Sequence, residues 1–357
     1  MGLTFQHTTL GQRVLFGTGN AAEHLAGEIK RLDARKVMVI ASARERAEAE
    51  KITAGINAAL IHDDVAPHVP IDKAEKARNT AIHNDIDLLV SVGGGSTTGL
   101  AKAIALTTGL PILAVPTTYA GSEATNVWGL TKAARKTTGI DDRVLPVTVI
   151  YDAELTLSLP QDLSIASGLN ALAHCIDSMW APRTDPINQA LAAEGIRALN
   201  NGLPAISNNP NDLTGRELTL YGAYLSAVAF ASAGSGMHHK ICHALGGRWN
   251  LPHAQTHAVV LPYVLAFNAL DALDAADRIA AAFQTETAIE GLNTLRDTLG
   301  TPIALKDLGL AKENINEAVQ LILPAIPASN PRPVTEENLT ALLTAAHAGT
   351  SPSEHIR

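Results

Sequence analysis

Five of the chain's 13 histidines fall in one short stretch, MHHKICHALGGRWNLPHAQTH: His238, His239, His243, His253 and His257. Imidazole is the commonest metal ligand and the one side chain whose unperturbed charge changes between about pH 5 and 8. His239 and His243 are four apart and so share a helix face. His253 follows after a break expected at Gly246-Gly247, in a Leu-Pro-His turn. Upstream, ASGLNALAHCID at 166–177 places Asn170 and His174 one helical turn apart. His174, His239, His243 and His253 are therefore expected to converge. A zinc or iron site wants such N/O donors with one position open. The zinc-protease pattern HExxH fails, because Lys240 follows His239, and Asn170 stands where a ligand carboxylate would be needed. The constellation points to an active site, not to a metal centre.

A second feature is Ser91-Val92-Gly93-Gly94-Gly95-Ser96. Consecutive glycines after an apolar strand let the backbone come close to a ligand. A helix starting there offers unsatisfied N–H groups and partial positive charge to a phosphate. The stretch is neither GxGxxG nor a P-loop. The loop Pro116–Glu123, PTTYAGSE, adds hydroxyls at the end of the next strand. Ser42 follows the first clear strand, where a carboxylate would hold a ribose 2′-hydroxyl and reject NADP. With Ser42 there and Arg44 nearby, NADH and NADPH both remain open.

These groups need elements to hold them. Apolar runs at 36–41, 58–62, 87–92, 111–115 and 146–150 read as strands, alternating with helical patterns at 43–59, 71–83 and 97–108. Such alternation predicts βαβ units and a mostly parallel sheet covered on both faces. After Tyr151-Asp152 the pattern becomes helical throughout. The expected organisation is an α/β nucleotide-binding domain over 1–155 and an all-helical substrate domain over 156–357.

Composition narrows the function classes. At 357 residues, about two domains are expected. The formal net charge of −8 argues against a nucleic-acid binder, so an anionic substrate would need a local cationic pocket. Cys175 and Cys242 form no CxxC and read as buried, reduced thiols. The N-terminus lacks the layout of a signal peptide, and no apolar run is long enough to span a membrane. A cytoplasmic protein is expected.

GGGS at 93–96, PTTYAGSE at 116–123, DAELTLSLP at 152–160, SGLNALAHCID at 167–177 and HHKICHALGGRWNLPHAQTH at 238–257 together resemble the iron-containing alcohol dehydrogenase family. The resemblance runs in order across residues 13–265. It implies a dinucleotide-binding α/β domain followed by a helical domain, with the active site in the cleft between them, and a homodimer. It carries the family's metal-ligand positions onto Asn170, His174, His239 and His253, and its additional active-site histidine onto His243. Its cofactor positions fall on Gly93, Gly94, Gly95 and Ser96, with Thr117, Thr118, Ser122 and Lys136, and Ser42 beside them. Two departures stand out: Asn170 for the ligand Asp, and Gly99 for the Asp of GGGSxxDxAK. With YAGSE, NVWGLT, RKTTG and HHKICH, they resemble the branch of the family that reduces maleylacetate to 3-oxoadipate in bacterial breakdown of aromatic compounds.

That resemblance implies NADH or NADPH as cofactor, a small dicarboxylate substrate and no required metal. Hydride adds to the alkene carbon remote from the ketone, charge builds on the ketone oxygen, and a proton reaches the carbon between them. Partly protonated His174, His239 and His253, with the Asn170 amide, would stabilise the oxyanion. His243 would donate the proton. Tyr119, Lys240, Arg248 and His257 are the candidates for holding substrate. The competing reading is a metal-dependent (iron or zinc) alcohol dehydrogenase that tolerates Asn170 as a ligand.

Overall fold

The computed structural model describes residues 4–132, 135–301 and 304–352; the side chains of residues 135 and 136 are outside that description. The chain divides into two compact units. One comprises Thr9–Pro160 with Asn211–Leu220, and the other Met1–Thr8, Gln161–Pro210 and Tyr221–Arg357. The break thus falls at 160/161, near the expected 155/156, but the second unit also takes in the N-terminal segment. The insertion of 211–220 into the first unit has a visible anchor. Arg216, fully buried, donates to the carbonyl of Thr156 at 2.6 Å and to the Tyr119 hydroxyl at 3.2 Å.

The first unit is built on a six-stranded parallel sheet. Its strands are β1 (Arg13–Phe16), β2 (Val37–Ile40), β3 (Ala58–His62), β4 (Leu88–Gly93), β5 (Ile112–Pro116) and β8 (Thr148–Tyr151), in spatial order β1-β8-β5-β4-β2-β3. Four helices flank it: α1 (Ala21–Arg31), α2 (Arg46–Thr53), α3 (Ile71–His83) and α4 (Gly95–Thr108). The period-2 alternation of a strand explains both faces. Val37, Val39, Leu88, Val90 and Val92 pack into one core with Leu25 of α1 and Ala49 of α2. Met38, Ile40 and Leu89 pack into the other with Ala77 of α3 and Ile104 of α4.

Strand order reverses between β2 and β4: from β2 the chain moves outward to β3, and from β4 it moves the opposite way to β5. Ligands of open α/β sheets bind beyond the strand C-termini at such a switch point. The glycine loop follows β4, and Ser42 follows β2.

Two expectations change here. The helix expected from residue 43 begins only at Arg46, because residues 42–45 form a turn closed by the Glu45 N–H on the Ser42 carbonyl at 2.9 Å. An antiparallel hairpin, β6 (Val127–Lys132) and β7 (Arg135–Ile140), was not legible as strands. Trp128 pairs across it with Gly139, where a Cβ would lie 2.6 Å from the indole, so the ring lies over the bare glycine backbone. Gly99 is likewise a packing position: a Cβ there would meet Val69 Cγ2 at 2.9 Å.

The second unit is helical. It contains α5 (Gln161–Ser178), α6 (Pro186–Asn208), most of α7 (Leu213–Ala233), α8 (Met237–Trp249) and α9 (His253–Ala269). Then follow α10 (Leu273–Phe283), α11 (Ala288–Leu299), α12 (Ile315–Ile322) and α13 (Glu336–Ala348). Met237, Ile241 and Leu245 recur every fourth residue along α8 and pack with Val260, Val264 and Phe267 of α9 and Leu339, Leu342 and Leu343 of α13. The expected break at Gly246-Gly247 is absent. Helix α8 continues to Trp249 and ends at Asn250, whose φ of 54° takes the left-handed conformation that Asn tolerates. Among the described residues no helix is long and apolar enough to cross a membrane.

Candidate functional site

The histidine cluster is built from α5, α7, α8 and α9. Asn170, His174 and Asp177 lie at i, i+4 and i+7 on α5 and so share one face. Asp177 is fully buried and receives three N–H groups: Gly236 at 2.8 Å, His238 at 3.3 Å and His239 Nδ1 at 2.8 Å. Gly236 is the N-cap of α8, so the carboxylate closes the open end of that helix where its dipole favours negative charge. Only glycine permits the approach, since a Cβ at 236 would sit 2.5 Å from Asp177 Oδ1.

The Asp177 bond sets the character of His239. With Nδ1–H donated to the carboxylate, Nε2 carries the lone pair, and that buried atom has no hydrogen-bond partner in the protein. Asn170 Oδ1 and His174 Nδ1 are buried and unpartnered in the same way. The His174 and His239 rings stack at 4.9 Å, and Phe230 of α7 packs on both, at 4.7 and 4.4 Å.

The cluster is layered. His243 and His253 are exposed, their rings 6.0 Å apart and nearly parallel. Beneath them His257 lies 4.5 Å from His253 and 4.9 Å from His239. His257 Nδ1 in turn hydrogen-bonds His238 Nε2 at 2.9 Å. Burial, and then the neighbouring imidazoles, push His174, His239 and His257 well below the usual imidazole range. Burial therefore disfavours partial protonation of His174 and His239 in the free protein and favours the neutral rings.

The expected site residues separate accordingly. Asn170, His174, His239, His243 and His253 come together. Lys240 is half-buried on α8, and its charge bears on His239. Three substrate candidates are corrected. His257 is wholly buried beneath the other rings. Arg248 is exposed, paired with Glu317 at 2.7 Å, its guanidinium 5.6 Å from the Trp249 ring. Tyr119 is buried in the α/β unit with its hydroxyl on Arg216 and Thr156. Asp177 was missed, although its i+7 spacing from Asn170 was in the sequence.

The glycine loop is in the other unit. Gly93 ends β4 with φ 150°, a conformation reserved for glycine, and Gly94 caps α4. Gly94 backs onto Thr118, whose Cγ2 would lie 2.9 Å from a Cβ there. Ser96 is half-buried in the first turn of α4, and Ser122 lies on a short 3-10 turn after Gly121. Ser42 and Thr117 both donate to Glu45, a carboxylate that sequence reading passed over. The side chain of Lys136 lies outside the described residues.

A metal at the family's positions would have to draw on Asn170, His174, His239 and His253. That donor set carries no anionic ligand. Among the described residues the one group of three His, Cys or carboxylate donors with ligand atoms within 4.8 Å of each other is a different one: His238, Cys242 and His257. That group is fully buried and joined by its own hydrogen bonds, with burial pushing the thiol well above its usual range. Three atoms of the family set, Asn170 Oδ1, His174 Nδ1 and His239 Nε2, are buried without a hydrogen-bond partner, so a metal there would be held by neutral donors alone.

Comparison with known proteins agrees with this layout. The profile "Iron-containing alcohol dehydrogenase" matches residues 11–153, and "Fe-containing alcohol dehydrogenase family, C-terminal" matches 164–347. A maleylacetate reductase of Burkholderia cepacia is 44% identical over 96% of this chain and 97% of its own. One of Sphingobium indicum is 42% identical over 98% and 99%. Among solved structures, an iron-containing alcohol dehydrogenase of Corynebacterium glutamicum is 63% identical with a TM-score of 0.98, covering 99% of both chains. The maleylacetate reductase of Rhizobium sp. strain MTP-10005 is 41% identical with a TM-score of 0.93, covering 98% of this chain and 99% of that one.

Proposed function

The chain belongs to the iron-containing alcohol dehydrogenase family, and we propose that it reduces the conjugated C=C of maleylacetate to 3-oxoadipate with a nicotinamide dinucleotide, without a metal ion. The observation that carries this reading is the character of the histidine pocket. Its buried carboxylate Asp177 is engaged by three N–H groups, and Asn170 presents a neutral amide where the family has a ligand carboxylate. The neutral Asn170 adds no charge that would repel a dianionic substrate.

The glycine loop and Ser96 would hold the pyrophosphate, with Thr118 and Ser122 beside it. The bound dinucleotide supplies the hydride. The protein's own residues must then do two things. Negative charge growing on the ketone oxygen needs donors, and the Asn170 amide can supply one. A dianion in the pocket also favours protonation of the adjacent imidazoles. His239, its Nδ1 fixed by Asp177, would then present Nε2–H to that oxygen. A proton must also reach the carbon next to the ketone. His243 suits this role because it is exposed at the rim and can be recharged from water. Lys240 is the cation best placed to attract a substrate carboxylate.

The same reading places the enzyme after ring cleavage in bacterial breakdown of aromatic compounds, working as a homodimer. The test is transfer from 4-deuterated NADH or NADPH to maleylacetate. Deuterium on the carbon remote from the ketone supports the reading. Deuterium on the carbonyl carbon, giving an alcohol, would overturn it in favour of carbonyl reduction.

A further inference from the structure

The cofactor end of the α/β unit holds a carboxylate for which the reading above has no role. Glu45 lies just after β2, on the last residue before α2. Its Oε2 accepts from Ser42 Oγ at 2.7 Å and from Thr97 Oγ1 at 3.4 Å, and its Oε1 accepts from Thr117 Oγ1 at 3.1 Å. These three hydroxyls come from the ends of β2 and β5 and the first turn of α4. Glu45 therefore spans the sheet's switch point. It also closes on the glycine loop itself, since a Cβ on Gly93 would lie 2.7 Å from its Oε2.

Position decides what this carboxylate would meet. A pyrophosphate on the α4 N-terminus directs the adenosine ribose toward the end of the neighbouring strand, here β2. An ionised carboxylate there accepts from a ribose hydroxyl and repels a 2′-phosphate. The neighbouring cations are turned away: Arg44, exposed, donates to the carbonyl of Ser158 at 3.1 Å, and Arg46 pairs with Glu50 and Asp63.

Resting on the reading of this chain as a nicotinamide-dependent reductase, we infer that Glu45 sets its choice of dinucleotide, accepting from the ribose of NADH and excluding the 2′-phosphate of NADPH. Ser42, with no charge of its own, acts by holding Glu45 in place.

The test is the dissociation constants of NADH and NADPH, measured by quenching of protein fluorescence on the full chain and on Glu45→Gln and Arg44→Ala. The wild type is expected to favour NADH by about tenfold or more, the scale of a single lost or repulsive charge contact. Glu45→Gln should narrow that ratio several-fold, chiefly by tightening NADPH, while Arg44→Ala leaves it unchanged. Equal binding of both nucleotides by the wild type overturns the inference and leaves the reductase reading intact. So does an unchanged ratio in a folded Glu45→Gln, or selective loss of NADPH in Arg44→Ala. Binding of neither nucleotide by the wild type overturns both.

Discussion

Asp177 accepts the Nδ1–H of His239 at 2.8 Å while closing the N-terminus of the helix that carries His239. One carboxylate thus fixes both the tautomer of an active-site imidazole and the position of its backbone. Asp177→Asn keeps the shape but removes the charge that fixes that tautomer. Turnover of maleylacetate should fall about 10- to 100-fold, the usual cost of losing the carboxylate behind a functional histidine. Steady-state kinetics with a melting curve on the same sample checks it. Unchanged kcat/KM in a folded variant would show that the tautomer is immaterial.

The approach of Gly236 to Asp177 leaves no room for a side chain. Gly236→Ala puts a methyl 2.5 Å from Asp177 Oδ1 and must shift either α5 or α8. Overpacking of this kind costs about 1–3 kcal/mol. Urea denaturation should give a lower midpoint, and an unaltered midpoint would mean that the helices yield freely.

Asn170 can be tested by restoring a carboxylate. Asn170→Asp returns an anionic donor beside His174 and His239, so elemental analysis after incubation with zinc or ferrous iron should find metal retained. Maleylacetate turnover should fall about tenfold or more, because a new negative charge faces a dianion. Retained turnover with no bound metal would show that Asn170 decides neither property.

Burial gives the cluster a pH signature. Burial pushes His174, His238, His239 and His257 well below the usual imidazole range. Below about pH 6.5 the unfolded chain takes up protons that the native chain refuses, so stability is lost as pH falls and is fully present above that value. Each ring contributes a slope of about 1.4 kcal/mol per pH unit until its native form also titrates. Denaturation midpoints at pH 7.5 and 5.5 measure it. A midpoint that holds or rises at pH 5.5 would contradict the buried, neutral assignment.

The sequence made the sheet legible where strands are buried on both faces. The apolar runs at β2, β4 and β5 have few other readings, and α3 begins right after Pro70. It concealed β6 and β7 because each carries mixed polarity and their pairing depends on a tryptophan lying over Gly139. Histidine spacing located the cluster but not its depth. That His243 and His253 are exposed while His257 is buried depends on how α9 packs on α8. Arg248 and Tyr119 had suitable chemistry, yet Glu317 and Arg216 take them up. Glu45 was hidden by a helix expected to start too early, and it is a tight turn that returns its carboxylate to Ser42.

The central claim is reduction of maleylacetate at a site that works without metal. It is tested most directly by following NADH and NADPH oxidation when maleylacetate is added to protein dialysed against a strong chelator. Rapid oxidation, unchanged by added zinc or ferrous iron, is the result expected from a neutral Asn170 and an imidazole set. No oxidation until a metal is restored would contradict it and make Asn170 a working ligand. No oxidation under either condition would remove maleylacetate as the substrate.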